Sequence, residues 1–404
     1  MQTGNLLASS LLKLAGELLQ ESPGDTGAQD VPALTTPFSN TTQSDWAEAV
    51  RLWNNHGRQL LSQTAPRNCP ACAHGNARRL FDSYDGYTYV ECHECGCWYV
   101  PLHIDAAVFD RFFELCPEAE SVAMHSFATR QTPEDVAANV DRIGSYLDVL
   151  LPLLPDRSGK RYLDIGCGLG HSLMAAQNRG LEAVGVESSR ACIRTGRGNG
   201  LDIRDISSGL PSGPFHLVTF WESLEHMADP ASALSACESV LDRHGIIAFT
   251  VPNQNSPLIR AQRGDCSVIN GGSDTPGHIN LFNPSNIQRL VDRSGFALLG
   301  LDGQYGLSLP ELLSYMVGTT RGALDMLSGK PIDSRISELA TSLTRWIGPA
   351  VSVLERITLT APILFGFACR KPALEDFGRI AWLFSARRKA ALQDEIAACL
   401  TRVS

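Results

Sequence analysis

Three alternate glycines follow a short apolar stretch near the middle of the chain. Residues 161–165 read Arg-Tyr-Leu-Asp-Ile, the pattern of a buried strand, and the glycines Gly166, Gly168 and Gly170 come directly after it. Glycine has no Cβ, so its backbone can turn tightly out of the strand and lie against a ligand that a side chain would displace. Asp164 would stand near the crevice at the carboxyl end of this strand, where open α/β sheets bind ligands. The segment therefore predicts a ligand site.

The spacing of the glycines separates two classes of cofactor. A dinucleotide site has the order Gly-x-Gly-x-x-Gly, whereas this chain has Asp-x-Gly-x-Gly-x-Gly, and no Lys-Ser/Thr pair follows to hold a triphosphate. A second apolar stretch ends in Glu187, 23 positions after Asp164, near the roughly 20-residue spacing at which an acid reaches a ribose diol. We therefore expect S-adenosylmethionine (SAM) as the cofactor, with Glu187 binding its ribose. Hydride transfer is the weaker interpretation.

Four further segments follow the glycines in order. They are Arg-Asp-Ile at 204–206, Phe-His-Leu-Val-Thr-Phe-Trp-Glu-Ser-Leu-Glu-His-Met-Ala-Asp-Pro at 215–230, an apolar stretch at 245–253, and Pro-Gly-His-Ile-Asn-Leu-Phe at 276–282. With them, roughly residues 132–372 resemble the class I SAM-dependent methyltransferases, and among these the branch that includes the ubiquinone-biosynthesis O-methyltransferases. The resemblance implies that Asp205 meets the adenine amino group. It also implies that Trp221 and Glu222 line the crevice beside the methionine part of SAM.

Two histidines in these segments are candidates for proton transfer. SAM supplies a reactive sulfonium, so the protein has to align an acceptor atom and remove one proton. His278 is the first candidate base, because imidazole titrates near neutrality and its loop should lie over the cofactor, and His226 is the second. Glu222, Glu225 and His226 also repeat a Glu-x-x-Glu-His spacing that the resemblance associates with a divalent metal such as Mg²⁺. A helix cap with a packed histidine is the alternative.

Four of the twelve cysteines form two close pairs before this region. The pairs have a Cys-x-x-Cys spacing and 19 residues between them, as in a tetracysteine zinc site, and they consist of Cys69, Cys72, Cys92 and Cys95. Residues 79–90 read as a β-hairpin with Asp85-Gly86 at its turn, which would bring the pairs together. Four cysteines leave no open coordination position, so we expect a structural zinc ribbon. Disulfides or unpaired thiols are the alternative, and substitute ligands lie close by at His74, His93 and Cys97.

Strand patterns alternate with helical ones after the ribbon, at 161–166, 182–187, 201–206, 215–221, 245–251, 296–302 and 363–370. This alternation predicts an α/β fold with a parallel sheet and helices on both faces. The resemblance implies that the sheet is doubly wound, seven-stranded and mostly parallel, of the Rossmann-like methyltransferase type. The resemblance adds that the last strand runs antiparallel. A helix with one apolar side is expected over 133–154.

The predicted organisation has four parts. They are a helical and flexible N-terminal extension at 1–65 with a helix over 45–64, the zinc ribbon at 66–101, the methyltransferase domain at 132–372 with a helical insertion at 304–362, and a helical tail at 373–404. The insertion is interpreted as a helical cap or dimer surface, with a cover over the acceptor site or contact with a lipid-linked substrate as the alternative. Basic residues beside Trp382 leave peripheral membrane contact open for the tail.

Composition restricts the partners of the chain. Its 404 residues are 44% hydrophobic, enough to bury a large core, and its net charge of −9 argues against a nucleic-acid surface, which needs clustered Lys and Arg. We find no apolar run of about 18 residues that would predict a membrane span. No leader of the secretory type is recognisable either, so we expect a cytoplasmic protein.

Together these patterns predict a SAM-dependent methyltransferase that acts on a small molecule or sugar in glycan or secondary-metabolite biosynthesis, with O-methylation favoured. Two alternatives remain open: an RNA methyltransferase guided by the ribbon, and a non-catalytic, zinc-dependent binding module. The acidic net charge argues against the first. The intact glycines together with Asp164 and Glu187 argue against the second.

Overall fold

The structure is a computed structural model of the chain. It describes residues 48, 51–83, 86–119, 121–122, 132–154, 160–262, 277–304, 351, 353–378, 389 and 392–397. Most of the N-terminal extension, most of the 304–362 insertion and much of the C-terminal tail lie outside the described residues. The expectations for those segments, and the division of the chain into domains, stay predictions.

Two short helical segments precede the cysteine pairs. In the described part of the expected helix over 45–64, residues 48, 51 and 52 are α-helical, Trp53–Gly57 is a π-helix and Arg58–Gln63 is a 3₁₀-helix. Gly57, where the two segments meet, has a low α-helix propensity. Trp53 is fully buried, and its ring meets that of Phe112 edge-on with 5.1 Å between the ring centroids. Phe112 lies in helix α1 (Ala106–Leu115), so both helical segments join one apolar cluster beside the ribbon.

The ribbon has the predicted hairpin. Strands β1 (Ala77–Asp82) and β2 (Thr88–Cys92) pair antiparallel, and β2 also pairs with the two-residue strand β3 (Trp98–Tyr99). Asp85 of the expected turn lies outside the described residues, whereas Gly86 has the left-handed φ of 87° that a tight turn demands.

The described residues after the ribbon contain eight strands. They are β4 (Arg161–Ile165), β5 (Glu182–Glu187), β6 (Ile203–Asp205), β7 (Phe215–Trp221), β8 (Leu241–Pro252), β9 (Asn280–Leu281), β10 (Phe296–Gln304) and β11 (Ile363–Arg370). All but β9 form one sheet in the order β10-β11-β8-β7-β4-β5-β6. The five strands from β8 to β6 run parallel, and β11 is antiparallel to both of its neighbours. This confirms the predicted fold class and the antiparallel last strand.

Helices cover both faces of this sheet. Their bounds are α2 (Pro133–Leu150), α3 (His171–Gln177), α4 (Arg190–Gly198), α5 (Pro230–Ala236), α6 (Pro257–Gln262) and α7 (Pro284–Arg293). The sequence places a cap before α2, where the Thr132 hydroxyl accepts from the Asp135 N–H at 3.1 Å and Pro133 occupies the first helical position. The apolar side of α2 packs with that of α3 on one face of the sheet, and α5 and α7 pack on the other.

The ribbon and the large sheet are joined through β9. Asn280 and Leu281 of β9 pair antiparallel with Tyr99 and Trp98 of β3, so the ribbon sheet has four strands in the order β1-β2-β3-β9. Buried ribbon residues also belong to the same apolar cluster as α5 and α7. Within the described residues, no helix is long and apolar enough to cross a membrane.

Candidate active site and tetracysteine site

The surroundings of Gly166, Gly168 and Gly170 exclude a side chain at two of these positions and leave open space at the third. All three have a left-handed φ, at 78°, 53° and 88° along the chain, which disfavours any L residue. A Cβ on Gly166 would lie 2.7 Å from Cβ of Ser223, and one on Gly170 would lie 2.5 Å from Leu201. A Cβ on Gly168 would meet no atom of the described residues within 4 Å. Gly166 and Gly170 are thus required by packing, whereas Gly168 leaves room for a ligand.

Glu187 connects the end of β5 to this glycine segment. One carboxylate oxygen accepts from the Gly168 N–H at 2.8 Å, and the other accepts from the Ser188 and Ser189 N–H groups at 2.7 and 2.8 Å. Among the described residues Oε2 accepts only from the Gly168 N–H and has a second lone pair, so Glu187 can still accept from a hydroxyl group of a ligand. Asp205 is its register partner on β6, at the same edge of the sheet. The geometry is consistent with the predicted ribose role of Glu187.

Asp164 lies deeper than the sequence suggests. Its side chain is buried, and its two oxygens accept from the hydroxyls of Ser172 and Thr219, the latter at 2.7 Å. Burial raises the pKa of Asp164 to about 7, against the opposing effect of these hydrogen bonds. Asp164 therefore supports the glycine segment and the first turn of α3 from behind, and a direct contact with SAM stays a prediction.

Trp221, the last residue of β7, is buried, whereas Glu222, which follows it, is only partly buried. The Trp221 ring packs into the core, stacked on Tyr146 with 5.1 Å between centroids, and its Nε1–H donates to Tyr162 Oη at 2.9 Å. Contact between this ring and a cofactor stays a prediction that the burial of Trp221 does not favour. Glu222 has a left-handed φ of 51° and accepts from Arg142 Nη1 at 3.0 Å.

Arg142 is a functional candidate that the sequence reasoning missed. It lies on α2, where Oδ1 of Asn139, three residues earlier, also accepts from its guanidinium at 3.4 Å. Asn139 and Arg142 share a helix face with the buried Ile143 and Tyr146, and these two polar residues on a core-facing stripe are the signal that could have identified it.

The two candidate bases meet beside the glycine segment. Ser223, whose hydroxyl donates to Ile165 O at 2.9 Å, ties the 3₁₀ turn Leu224–His226 to the end of β4. The rings of His226 and His278 meet at a centroid distance of 4.8 Å, with His226 exposed and His278 buried. His278 Nε2 lies 3.8 Å from an oxygen of Glu225, so the structure brings together both predicted histidines and one carboxylate.

Glu225 is the unusual member of this group. It is fully buried, and neither of its carboxylate oxygens has a hydrogen-bond partner among the described residues. Burial raises the pKa of Glu225 well above its usual range. Ligand atoms of Glu225, His226 and His278 lie within 4.8 Å of one another, a donor set that fits a divalent cation.

The expected metal set of Glu222, Glu225 and His226 is not the set that the structure assembles. The prediction needs all three residues on one helix face, but the helical turn begins only at Leu224. Glu222 precedes it in a left-handed conformation and pairs with Arg142 instead. His278, from a different segment, takes its place in the cluster.

Comparisons with known proteins agree with this geometry. Residues 130–301 match a family model described as a methyltransferase domain. The chain is 26% identical over 185 residues to the ubiquinone biosynthesis O-methyltransferase of Chromobacterium violaceum, covering 41% of this chain and 79% of that one. Residues 130–301 form a class I SAM-dependent methyltransferase domain.

Further relatives of this methyltransferase carry similar names. The ubiquinone biosynthesis O-methyltransferase of Thiobacillus denitrificans is 25% identical over 246 residues, covering 55% of this chain and 99% of that one. A solved SAM-dependent methyltransferase from Archaeoglobus fulgidus is 18% identical, with a TM-score of 0.37 over 57% of this chain and 93% of its own. The fold assignment rests on the strand order of the seven-stranded sheet.

The tetracysteine site is assembled as the spacing predicts. Cys69 and Cys95 have their sulfurs 3.5 Å apart, as do Cys72 and Cys92, and all four sulfurs lie within 4.8 Å of one another. Disulfide sulfurs would be about 2.05 Å apart. Sulfurs at the corners of a tetrahedron, each about 2.3 Å from zinc, would be nearly 4 Å apart, so the cluster fits the metal.

The two cysteine pairs have the same backbone geometry. In each pair the first cysteine's C=O accepts at 2.9 Å from the N–H four residues later, which belongs to Ala73 in one turn and Gly96 in the other. Both of these residues have a left-handed φ, at 62° and 68°. Cys97 lies outside the cluster, with its Sγ 3.6 Å from Leu281 O. The same turn therefore presents the two sulfurs of each cysteine pair.

Proposed function

We propose that this chain transfers a methyl group from SAM to an oxygen of a small molecule or sugar, in glycan or secondary-metabolite biosynthesis. The observation that carries the proposal is the meeting of His226 and His278 beside the glycine segment that contains Gly168. Bound SAM would supply the electrophilic methyl group. The names of the relatives favour oxygen as the acceptor atom.

Each proposed cofactor-binding residue would contact a different part of SAM. Gly168 lets the ligand approach the backbone, and Glu187 accepts from the ribose hydroxyls while it holds the Gly168 N–H. Asp205, the partly exposed register partner of Glu187 on β6, would meet the adenine amino group. The guanidinium of Arg142 is suited to the carboxylate of the methionine part, since paired N–H donors match carboxylate geometry.

Proton removal falls to the histidine pair. His278 takes the proton of the acceptor hydroxyl, and the oxygen of Glu225, 3.8 Å from Nε2, stabilises the imidazolium that results. His226 is exposed and orients the acceptor, or acts as the base in its place. A divalent cation such as Mg²⁺, held by Glu225, His226 and His278, is the alternative, favoured by the unpartnered oxygens of Glu225.

The four cysteines hold a structural Zn²⁺ in this proposal. All four corners of a tetrahedron are occupied by thiolate, so no position is open for an acceptor. The metal would close the two turns of the ribbon and fix its sheet, and it would take no part in methyl transfer.

Transfer of labelled methyl from SAM to a panel of phenols, sugars and total RNA tests the function. Incorporation into a phenol or sugar is expected, together with a loss of about 100-fold in His278→Gln. His244→Gln, which changes an exposed histidine paired with Asp376, is the matched control and should keep full activity. Incorporation into RNA alone would overturn the choice of acceptor.

Two further arms of this experiment separate the remaining alternatives. No transfer to any acceptor, with intact zinc, would support the non-catalytic binding module. A brief treatment with a chelator that leaves zinc in place should not lower activity if His278 is the base. Loss of activity that Mg²⁺ restores would favour the divalent cation instead.

A further inference from the structure

A single half-buried arginine contacts three separate segments of the fold. Arg67 precedes the first cysteine pair, and its guanidinium donates to five carbonyl oxygens. One belongs to Val100 at the end of the ribbon, at 2.8 Å. Two belong to Met227 and Ala228, directly after His226, at 3.4 and 2.7 Å. The last two follow His278 and are the backbone oxygen of Ile279 and Oδ1 of Asn280, at 2.9 and 2.8 Å.

The segment after His278 is also held by other ribbon groups. Tyr89 Oη donates to the backbone oxygen of His278 at 2.6 Å, and β9 pairs with β3 immediately afterwards. Asn280 Nδ2 in turn donates to Leu224 O at 3.0 Å and Met227 O at 2.8 Å. The backbone beside each candidate base is therefore anchored to the ribbon and to the other segment.

The chemistry of guanidinium suits such a junction. Its five N–H donors lie in one plane in a fixed fork, so the acceptors they contact are fixed relative to one another. A lysine ammonium would carry the same charge but could not span the three segments. The charge itself suits the place, because four thiolates around Zn²⁺ carry a net charge of −2 and Arg67 lies two residues from Cys69.

We propose that Arg67 is a positioning residue that sets the distance between His226 and His278, and that through it the tetracysteine ribbon controls the geometry of the active site. This inference rests on the proposed roles of the two histidines. It assigns the ribbon a part in catalysis without contact to SAM or acceptor.

Amide hydrogen exchange followed by mass spectrometry tests the positioning directly, because it needs no turnover. In Arg67→Met, exchange should rise about tenfold in the peptides that contain 224–228 and 278–282, because each segment loses its hydrogen bonds to the guanidinium. Removal of zinc from the wild-type protein should raise exchange in the same two segments. The glycine segment at 166–170 should exchange at its original rate.

Steady-state kinetics supply the second readout. A displacement of about 1 Å between reacting groups can cost about 100-fold in rate, so kcat of Arg67→Met should fall by 10-fold to 100-fold while the Kd for SAM changes by less than about threefold. Arg67→Lys should lose nearly as much, since charge alone cannot replace the fork.

Two variants separate positioning from general stability. Arg289→Met removes an exposed ion pair with Glu94, 3.2 Å long, between the same ribbon and the same domain, and should change neither exchange nor kcat. Tyr89→Phe removes one bond to the His278 backbone, and its effect should be confined to 278–282.

The outcomes separate this inference from the proposed function. Uniformly faster exchange, an equal loss of SAM affinity, or full rescue by Arg67→Lys would overturn the positioning role. Unchanged exchange at 224–228 and 278–282 would overturn it as well. If both segments loosen as expected but the wild-type protein methylates nothing, the positioning role stands and the proposed function fails.

Discussion

Replacing Asp164 with asparagine should remove a pH dependence from the stability of the fold. Asp164 is buried at the end of β4, where the hydroxyls of Ser172 and Thr219 donate to its oxygens. Burial is the largest cause of its raised pKa, about 7 in the folded chain against an ordinary value of 3.8. Asparagine has nearly the same shape and carries no charge at any pH.

The direction follows from proton linkage. The folded state binds the proton of Asp164 more tightly than the unfolded state does. Protonation of Asp164 therefore stabilises the fold fully below about pH 4, and this stabilisation is lost as the pH rises through 7. Over that whole window the raised pKa corresponds to about 4 kcal/mol. Between pH 5 and pH 7.5, the free energy of unfolding of the wild type should fall by about 2.5 kcal/mol relative to that of Asp164→Asn.

Urea unfolding of the ligand-free proteins, followed by tryptophan fluorescence at both pH values, gives this difference. Asp205→Asn is the control, since that carboxylate is exposed and its pKa is lowered, chiefly by hydrogen bonds from Ser207. Asp205→Asn keeps Asp164, so its free energy of unfolding should fall between pH 5 and pH 7.5 by as much as that of the wild type. If wild type and Asp164→Asn share the same pH slope, or if the wild type gains stability on going to pH 7.5, Asp164 is ionised in the fold and the reasoning is wrong.

Three further predictions concern the cofactor and the metal. Glu187→Gln should weaken SAM binding by 10-fold to 100-fold in calorimetry, because a charged acceptor for the ribose hydroxyls is lost, and an unchanged Kd would contradict that role. Cys95→Ser should lose zinc, measured as metal per chain by mass spectrometry, and should lower the melting temperature; full zinc content would exclude Cys95 as a ligand. Cys97→Ser should retain zinc, since Cys97 lies outside the cluster, and its loss would redefine the ligand set.

The sequence was most informative where a pattern is local. The seven strands follow from apolar stretches that end in turn residues, and each lies within a few residues of its expected position. The cysteine spacing likewise determines the two turns around the tetracysteine site, because each turn is closed within five residues. The antiparallel direction of the last strand followed from the resemblance and is confirmed.

The sequence was least informative where a residue's role depends on distant partners. Asp164 and Trp221 stand at strand ends in the sequence, but Thr219 and Tyr162 on neighbouring strands draw their side chains inward. The candidate metal ligands include His278 in place of the predicted Glu222, because Glu222 precedes the helical turn in a left-handed conformation. The junction at Arg67 joins residues more than 150 positions apart, and no spacing rule could reveal it.

Calorimetric titration of SAM into the zinc-loaded protein and two glycine variants tests the central claim most directly. Gly168→Ala and Gly180→Ala both place a Cβ on a left-handed residue with no described atom within 4 Å, so each should cost about 1 to 2 kcal/mol of stability. Gly180 lies between α3 and β5, at the opposite edge of the sheet.

The account predicts that the wild type and Gly180→Ala bind SAM with the same affinity, and that Gly168→Ala binds at least tenfold more weakly. Equal binding by all three proteins would contradict a cofactor site at Gly168, and so would the absence of binding by the wild type.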